Sequence, residues 1–565
     1  MKPLFFALTS FIIFSCSLSA QTSYPKDAFR SPLDVPLILA GTFGELRSNH
    51  FHSGIDLKTK QRQGLNVYGI GEGMVTRIKV SLWGYGKVVY VAHPNGYTSV
   101  YGHLKKFSPK IEAYIKKVQY QKKAFEVEVF PKYGSLKIEQ GEVLGYSGNT
   151  GSSGGPHLHF EIRNTATQKP TNPLLYGYDI ADATNPSLLK VFGYPLSEDA
   201  QINQSNQRTQ IHFKPQKDGT FLADTVTANG TIGFGFVGFD RQDLAANKNG
   251  LYAVNLSVNG TTYANYDFES FSFAETRYIN TYIDYAHFAK HKQRIQKCFK
   301  APGNRLSIYN TLKNDGKIKV VEGLSYTIEL LLKDLHNNTT KLTIPVEGKK
   351  QTPILKKEVA TTDYYMVAKK PNNFTAGIAK VYFPSNTFYE DFYLDLKDQN
   401  DTIKIHHNGV PAHRNFTLTL DASKYSKEEQ KQLCIARLDA KNKPKYVTTY
   451  KRGDIFTTRT KYLGTYTLAK DTIAPTIALK NFKEKQWLSN YNYLTVKIAD
   501  EMSGINTYSA TINGEWILME YETKKNTLTY NFDDKIVDQT KCELTIVVTD
   551  KVGNTNQLTT YFYRK

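Results

Sequence analysis

From Pro186 to the C-terminus the sequence is written in short alternating runs of apolar and polar residues, Tyr252 to Val258 and Leu544 to Val548 among them. Asn-Gly, Asp and Pro-Gly signals separate them. A period of two puts every second side chain on one face of an extended strand, and runs this short cannot make helices that bury anything. Such a chain is confined to stacked or closed antiparallel sheets, so we expect a mostly β protein built from β-sandwich material. Tyr 38 and Phe 31 against Met 5 point the same way, because aromatic rings suit a half-buried pleated surface. At 565 residues there is room for roughly four domains with separate cores.

An internal repeat sharpens this picture. Asp240, Asn249-Gly250-Leu251 and a strand ending Val258-Asn259-Gly260 are matched by Asp500, Ser503-Gly504-Ile505 and a strand ending Ile512-Asn513-Gly514. Each copy closes with a strand and an acidic turn, Asp334 with Asn338 and Asp550 with Asn554. The first copy is longer by about 44 residues, placed between Tyr263 and Tyr326. We read two related Ig-like β-sandwiches, at 208–348 and 473–565, with another β-rich module at 355–470 between them. The acidic turns are read as plain turn chemistry, Asp and Asn bonding their own backbone, with calcium binding as the alternative.

The N-terminus has the layout of a secretory signal over residues 1–20. Lys2 precedes an apolar stretch from Leu4 to Phe14, and Leu18-Ser19-Ala20 ends it. An apolar run of about 11 residues is too short to span a bilayer, which needs roughly 20. Cys16 offers a lipoprotein site as a second reading. The expected location is therefore the periplasm, the cell surface or the extracellular space, with no transmembrane segment in the mature chain. The remaining cysteines, Cys298, Cys434 and Cys542, are odd in number and far apart, which suggests buried single thiols rather than a disulfide framework. Net charge is +20, which favours anionic partners, but mixed signs can carry that excess without a nucleic-acid site, and no nucleic acid is expected as a partner.

Six of the 13 histidines lie between His50 and His159. The informative residues there fall in three clusters that only a fold can unite. His52-Ser53-Gly54-Ile55-Asp56 is a poor helix, and an extended strand would separate the Cα atoms of His52 and Asp56 by about 13 Å, so a shared ion requires a bend at Ser53-Gly54. Taken alone, Asp56 reads as a turn residue and His52 as a packed histidine. Val100-Tyr101-Gly102-His103-Leu104 adds a histidine at a strand end. His157-Leu158-His159-Phe160-Glu161 places two imidazoles on one face of a strand, about 6–7 Å apart, with Leu158 and Phe160 on the other. Such a pair can divide labour between holding a metal and serving a water beside it.

Together with Gly71-Glu72-Gly73-Met74-Val75, Gly84-Tyr85-Gly86 and the run from Gly141 to Gly151, these clusters resemble the LytM/lysostaphin-like zinc metallopeptidases that cut peptidoglycan cross-links. The resemblance runs from about Phe43 to Ile162 and leaves the C-terminal two-thirds unaddressed. It implies a metallopeptidase domain within 27–180, an antiparallel sheet with a metal-floored groove. It also implies zinc held by His52, Asp56 and His159, with His103 and His157 as catalytic histidines. His157 would act as base and His103 would stabilise charge on the peptide oxygen, or the reverse. The implied function is a secreted zinc-dependent endopeptidase acting on peptidoglycan.

Two alternatives stand beside it: a non-catalytic or occluded regulator of another wall hydrolase, and a surface adhesin that binds through its β modules. The stretch from Lys106 to Lys137 is longer than the compact pattern. A basic helix is expected at Ile111 to Phe125, carrying Lys116, Lys117, Lys122 and Lys123 either as a solvated face or as a groove wall.

Overall fold

The computed structural model describes residues 24–355, 360–536 and 539–565. The expected signal segment and Cys16 lie outside the described residues. The chain is mostly β, with an N-terminal antiparallel sheet followed by further β-sheet modules. No helix among the described residues is long and apolar enough to cross a membrane.

The N-terminal sheet runs in the order Leu39–Gly41, Ile55–Lys58, His157–Asn164, Tyr97–Leu104, Lys87–Ala92, Gly73–Val80 and Val127–Val129. Every pairing along it is antiparallel. The three central strands are buried on both faces: Lys87–Ala92 reads as a near-continuous apolar run, whereas His157–Asn164 alternates and buries its polar side chains on the face opposite the main core. On one face Tyr101, Leu158, Phe160 and Ile162 join the main core. On the other, Val88, Tyr90 and Val100 form a small apolar cluster with Tyr85, in the same row of the pleat as His157, His159 and Glu161.

That main core does not stop at the end of this sheet. It is continuous from Leu33 to Val346, so the N-terminal unit and the module after it share one interior. Phe43 stacks on Phe271 at 4.8 Å between ring centroids, and Phe51 packs against Phe268 at 5.4 Å. The Phe51 N–H donates to Thr276 Oγ1 at 2.8 Å, and the Tyr24 hydroxyl to Glu269 at 2.6 Å.

In the second unit Ser187–Pro195 pairs with the long strand Val226–Phe239, which in turn lies parallel to Thr339–Gly348. This mixed sheet is more elaborate than a purely antiparallel sandwich. The insert expected between Tyr263 and Tyr326 contains the short helices Ile279–Tyr282 and Tyr285–His291. Residues 372–470 form two five-stranded sheets around Phe416, Leu418, Phe456 and Tyr466. The C-terminal unit is two four-stranded sheets around Leu494, Val496, Leu544 and Ile546. Cys298, Cys434 and Cys542 are buried and free, and burial raises each thiol above its ordinary pKa, Cys434 to about 12.

The helix in the Lys106 to Lys137 stretch spans Pro109–Lys122, with proline in its first turn and Lys123 in the left-handed conformation ending it. Lys117, Lys122 and Lys123 lie exposed on its solvated face, and another side of the helix meets the C-terminal module. Lys116 pairs with Asp534, the Tyr120 hydroxyl donates to Asp534 Oδ2 at 2.8 Å, and the Tyr120 ring meets Trp516 edge-on at 5.4 Å. Lys116 and Tyr120 therefore seat the C-terminal module.

Candidate active site

Strand register brings the distant clusters together. His159 lies opposite Asp56 on one neighbouring strand and opposite Gly102 on the other, so His103 follows directly beside it. The chain bends at Gly54, where a Cβ would lie 2.3 Å from the Phe160 carbonyl oxygen, and only glycine allows that approach. The bend carries His52 back over Asp56: His52 Nε2 is 3.1 Å from Asp56 Oδ1, although the residues are four apart on a strand. His103 holds a left-handed backbone, φ 58°, at the end of its strand. All five sequence-identified residues converge.

The proton positions around them follow from their partners. His52 Nδ1 lies 2.8 Å from the Thr42 carbonyl, which can only accept, so the neutral ring carries its hydrogen there and leaves Nε2 with a lone pair. His159 Nε2 lies 2.8 Å from Glu161 Oε1, so its free lone pair is on Nδ1. Those two lone pairs face each other at 3.1 Å, and His159 Nδ1 is 3.0 Å from Asp56 Oδ1.

These three atoms can all present lone pairs to one shared cation; without a metal that cation is a proton, since burial, which lowers His159, is outweighed by hydrogen bonds to Asp56 and Glu161 that raise it to about 9. Their spacing suits a metal ion: ligands about 2.0 Å from a tetrahedral ion stand about 3.3 Å apart. His52, Asp56 and His159 could therefore hold a metal ion. The donor set, two imidazoles and a carboxylate, leaves a fourth position open.

His103 and His157 flank this trio with their rings 4.8 Å apart. His103 Nδ1 faces the Thr150 carbonyl at 2.9 Å and His157 Nδ1 the Gly155 carbonyl at 2.8 Å, so both turn a lone pair on Nε2 away from the loop. His157 Nε2 comes within 3.4 Å of Asp56 Oδ1. Burial, and then the neighbouring His159 and His157, push His103 down to about 3, so its ring is neutral.

Several supporting residues were not assigned roles from the sequence. Glu161 is fully buried, and its Oε1 accepts from the Tyr85 hydroxyl at 2.6 Å and from Ser53 Oγ at 2.7 Å, besides His159. Arg163 Nε donates to Oε2 at 2.6 Å. Burial alone would raise the Glu161 carboxyl, but Arg163 and His159 hold it well below the usual carboxylate range. Arg47 Nη2 donates to Asp56 Oδ2 at 3.0 Å. The signal for Glu161 was available, since it continues the alternation of His157 and His159 onto the same face. Arg47 and Thr42 carry none.

The second module braces the same corner. The Gly250 N–H donates to Thr42 Oγ1 at 2.8 Å and Asn247 Nδ2 to the Ala40 carbonyl at 3.3 Å. On the opposite side Lys524 Nζ donates to the Asn149 carbonyl at 2.5 Å, beside the Thr150 that orients His103. A cavity of about 320 Å³ lies between this loop and the C-terminal module, lined by Lys87, Lys105, Asn149, Glu520 and Lys524 among others.

The resemblance read from the sequence is borne out by comparison with known proteins. The model of peptidase family M23 matches residues 50–120 and 132–173, and that of the Zu5-like domain matches 363–471. The chain is 33% identical over 129 residues to the DD-carboxypeptidase/endopeptidase Mpg of Neisseria meningitidis, covering 23% of each chain. It is 27% identical over 154 residues to the cell division protein DipM of Caulobacter vibrioides, covering 26% of this chain and 21% of that one. The chain thus spans less than a quarter of the length of these curated relatives. The catalytic domain of lysostaphin from Staphylococcus simulans is similar at 23% identity over 24% of this chain and 90% of its own, with a TM-score of 0.18.

Proposed function

We propose, with the M23 match as premise, that this chain is an exported zinc metalloendopeptidase that hydrolyses peptide cross-links of cell-wall peptidoglycan. The observation that carries the reading is the meeting of three potential ligand atoms, on His52, Asp56 and His159, within 3.1 Å of one another. Zinc bound there would supply Lewis-acid chemistry for peptide hydrolysis at neutral pH. The chain's own residues do the rest.

His157 Nε2, oriented by the Gly155 carbonyl, accepts the proton of the attacking water and returns it to the leaving amine. His103, with Nδ1 held by the Thr150 carbonyl, stands beside the peptide oxygen, whose growing charge its Nε2 stabilises when that nitrogen also carries hydrogen. Glu161 and Thr42 keep the His159 and His52 lone pairs turned inward. The printed roles of the similar proteins, a DD-carboxypeptidase/endopeptidase and a cell division protein, support a peptide substrate in the cell wall.

The test is digestion of purified peptidoglycan by the mature chain, with and without a chelator, with fragments identified by mass. Chelator-sensitive release of cross-linked peptides is expected. His157→Glu should keep the metal and lose digestion. Intact peptidoglycan after incubation with metal-loaded protein would refute the assignment.

A further inference from the structure

The turn chemistry read for the acidic repeats is present. Asp334 Oδ1 accepts from the Asn338 N–H at 2.8 Å, and Asp550 Oδ1 from the Asn554 N–H at 2.9 Å. Asp182, Asp471 and Asp500 accept turn hydrogens in the same way, from the N–H groups of Thr184, Ile473 and Met502, so turn chemistry leaves Asp240 Oδ1 unaccounted for among the six carboxylates. Asp182 and Asp471 each stand four residues before a proline, Pro186 and Pro475, in the segment that enters a β module. Each is wired alike to its module's closing turn. Asn338 Nδ2 donates to the Asp182 carbonyl at 3.1 Å and to Asp334 Oδ2 at 2.6 Å, and Asn554 Nδ2 donates to the Asp471 carbonyl at 3.0 Å and to Asp550 Oδ2 at 2.8 Å. A third carboxylate joins each group, Asp240 at the first joint and Asp500 at the second.

Buried polar atoms without partners among the described residues stand beside these groups. At the first joint, Asp240 Oδ1 and Gln242 Oε1 have no hydrogen-bond partner among the described residues, though Asp240 is 4% and Gln242 5% exposed. They line one cavity of about 20 Å³ with Asp182 and Asp334, room for a single small occupant. At the second, Ser503 is 2% exposed with an unpartnered Oγ, while its N–H donates to Asp471 Oδ2 at 3.0 Å.

Three carboxylates are thus packed at each joint. Among the described residues no lysine or arginine nitrogen comes within ion-pair distance of any of the six; the one basic group near is His336 Nδ1, 3.7 Å from Asp182 Oδ2. Burial first, then Asp182 and Asp334, raise Asp240 to about 8, as expected where negative charge lacks a counterion. A missing cation resolves the charge and the orphaned oxygens together.

The donors identify the ion. The second joint gathers three carboxylates with the Ser503 hydroxyl nearby and no nitrogen or sulfur, the set for a hard cation with many oxygen ligands and not for zinc; at the first, His336 stands with Asp182 and Asp334, and the oxygens of Asp240 and Gln242 still make it predominantly an oxygen site. We propose that the Asp182, Asp240, Asp334 and Gln242 joint and the Asp471, Asp500, Asp550 and Ser503 joint each bind one calcium ion, fastening the segment that enters a β module to that module's closing turn. These ions are structural and separate from the peptidase centre.

The experiment is equilibrium dialysis of the zinc-loaded mature chain against calcium chloride up to about 1 mM, the upper end for extracellular sites. Calorimetric melting with and without calcium accompanies it. Two calcium ions per chain and a raised melting temperature are expected, surviving a tenfold excess of magnesium. Asp240→Asn and Asp500→Asn should each lower the count to one, with zinc content unchanged. Uptake of no calcium by the unaltered chain, or two ions retained in both variants, overturns the proposal. Because the unaltered chain alone can overturn it, the test does not depend on the variants folding.

Discussion

Glu161 and His159, two residues apart on one strand, form a 2.8 Å hydrogen bond in which the carboxylate takes the Nε2 hydrogen and leaves Nδ1 turned toward Asp56 and His52. Glu161→Gln keeps the oxygen acceptor but removes the charge and unpairs Arg163. Metal affinity should fall about 10- to 100-fold, with His52 and Asp56 untouched. Competition with a chromogenic chelator measures it, and unchanged affinity would deny Glu161 this role.

Gly54 sits against the backbone of the His157–Asn164 strand, with a Cβ position 2.3 Å from the Phe160 oxygen. Gly54→Ala must push the bend outward and separate His52 from Asp56. A loss of about 1–3 kcal/mol in stability is expected, together with loss of metal binding at ordinary concentrations. Denaturant unfolding and metal content read the two effects separately.

Lys87 and Glu520 join the first and last modules through bonds of 2.9 and 3.1 Å. The lysine side chain is 7% exposed and the glutamate 41%. Glu520→Ala strands a buried ammonium, whereas Lys87→Met removes the charge that needed pairing. The first should cost about 1–2 kcal/mol, below the ~3–5 of a fully buried pair because water reaches Glu520, and the second less. Thermal melting of both variants gives the order; equal or reversed costs would contradict it.

His413 lies between the second and third modules, stacked on Tyr278 at 4.6 Å. Burial, then Arg277 and other cations, lower it to about 4. A histidine depressed below its unfolded value of about 6.5 binds fewer protons folded than unfolded between those values. Its contribution is therefore intact above about pH 6.5 and lost as pH falls toward 4. The melting temperature should decline across that window, and His413→Gln should flatten the decline.

The histidine cluster was legible because period-two alternation and three short motifs carried it, and the bend demanded by His52 and Asp56 is where Gly54 turns the chain. The β character of the rest followed from alternation and turn residues. What the sequence could not display were contacts between modules. No local pattern ties Phe51 to Phe268 or Lys116 to Asp534, since such packing depends on surface shape rather than periodicity. The mixed sheet around Val226–Phe239 was hidden for a related reason: parallel pairing with Thr339–Gly348 joins segments more than a hundred residues apart, and only the finished fold brings them side by side.

The common interior of the first two units changes what can be cut from this protein. Phe43 and Phe51 are covered by Phe271 and Phe268. A fragment ending near residue 180 would bare an aromatic patch and loosen Thr42, whose carbonyl orients His52 and whose hydroxyl is held by Gly250. The smallest portable form of the histidine site is therefore expected to reach to about residue 348, and anyone grafting this site elsewhere should carry the neighbouring module along with it.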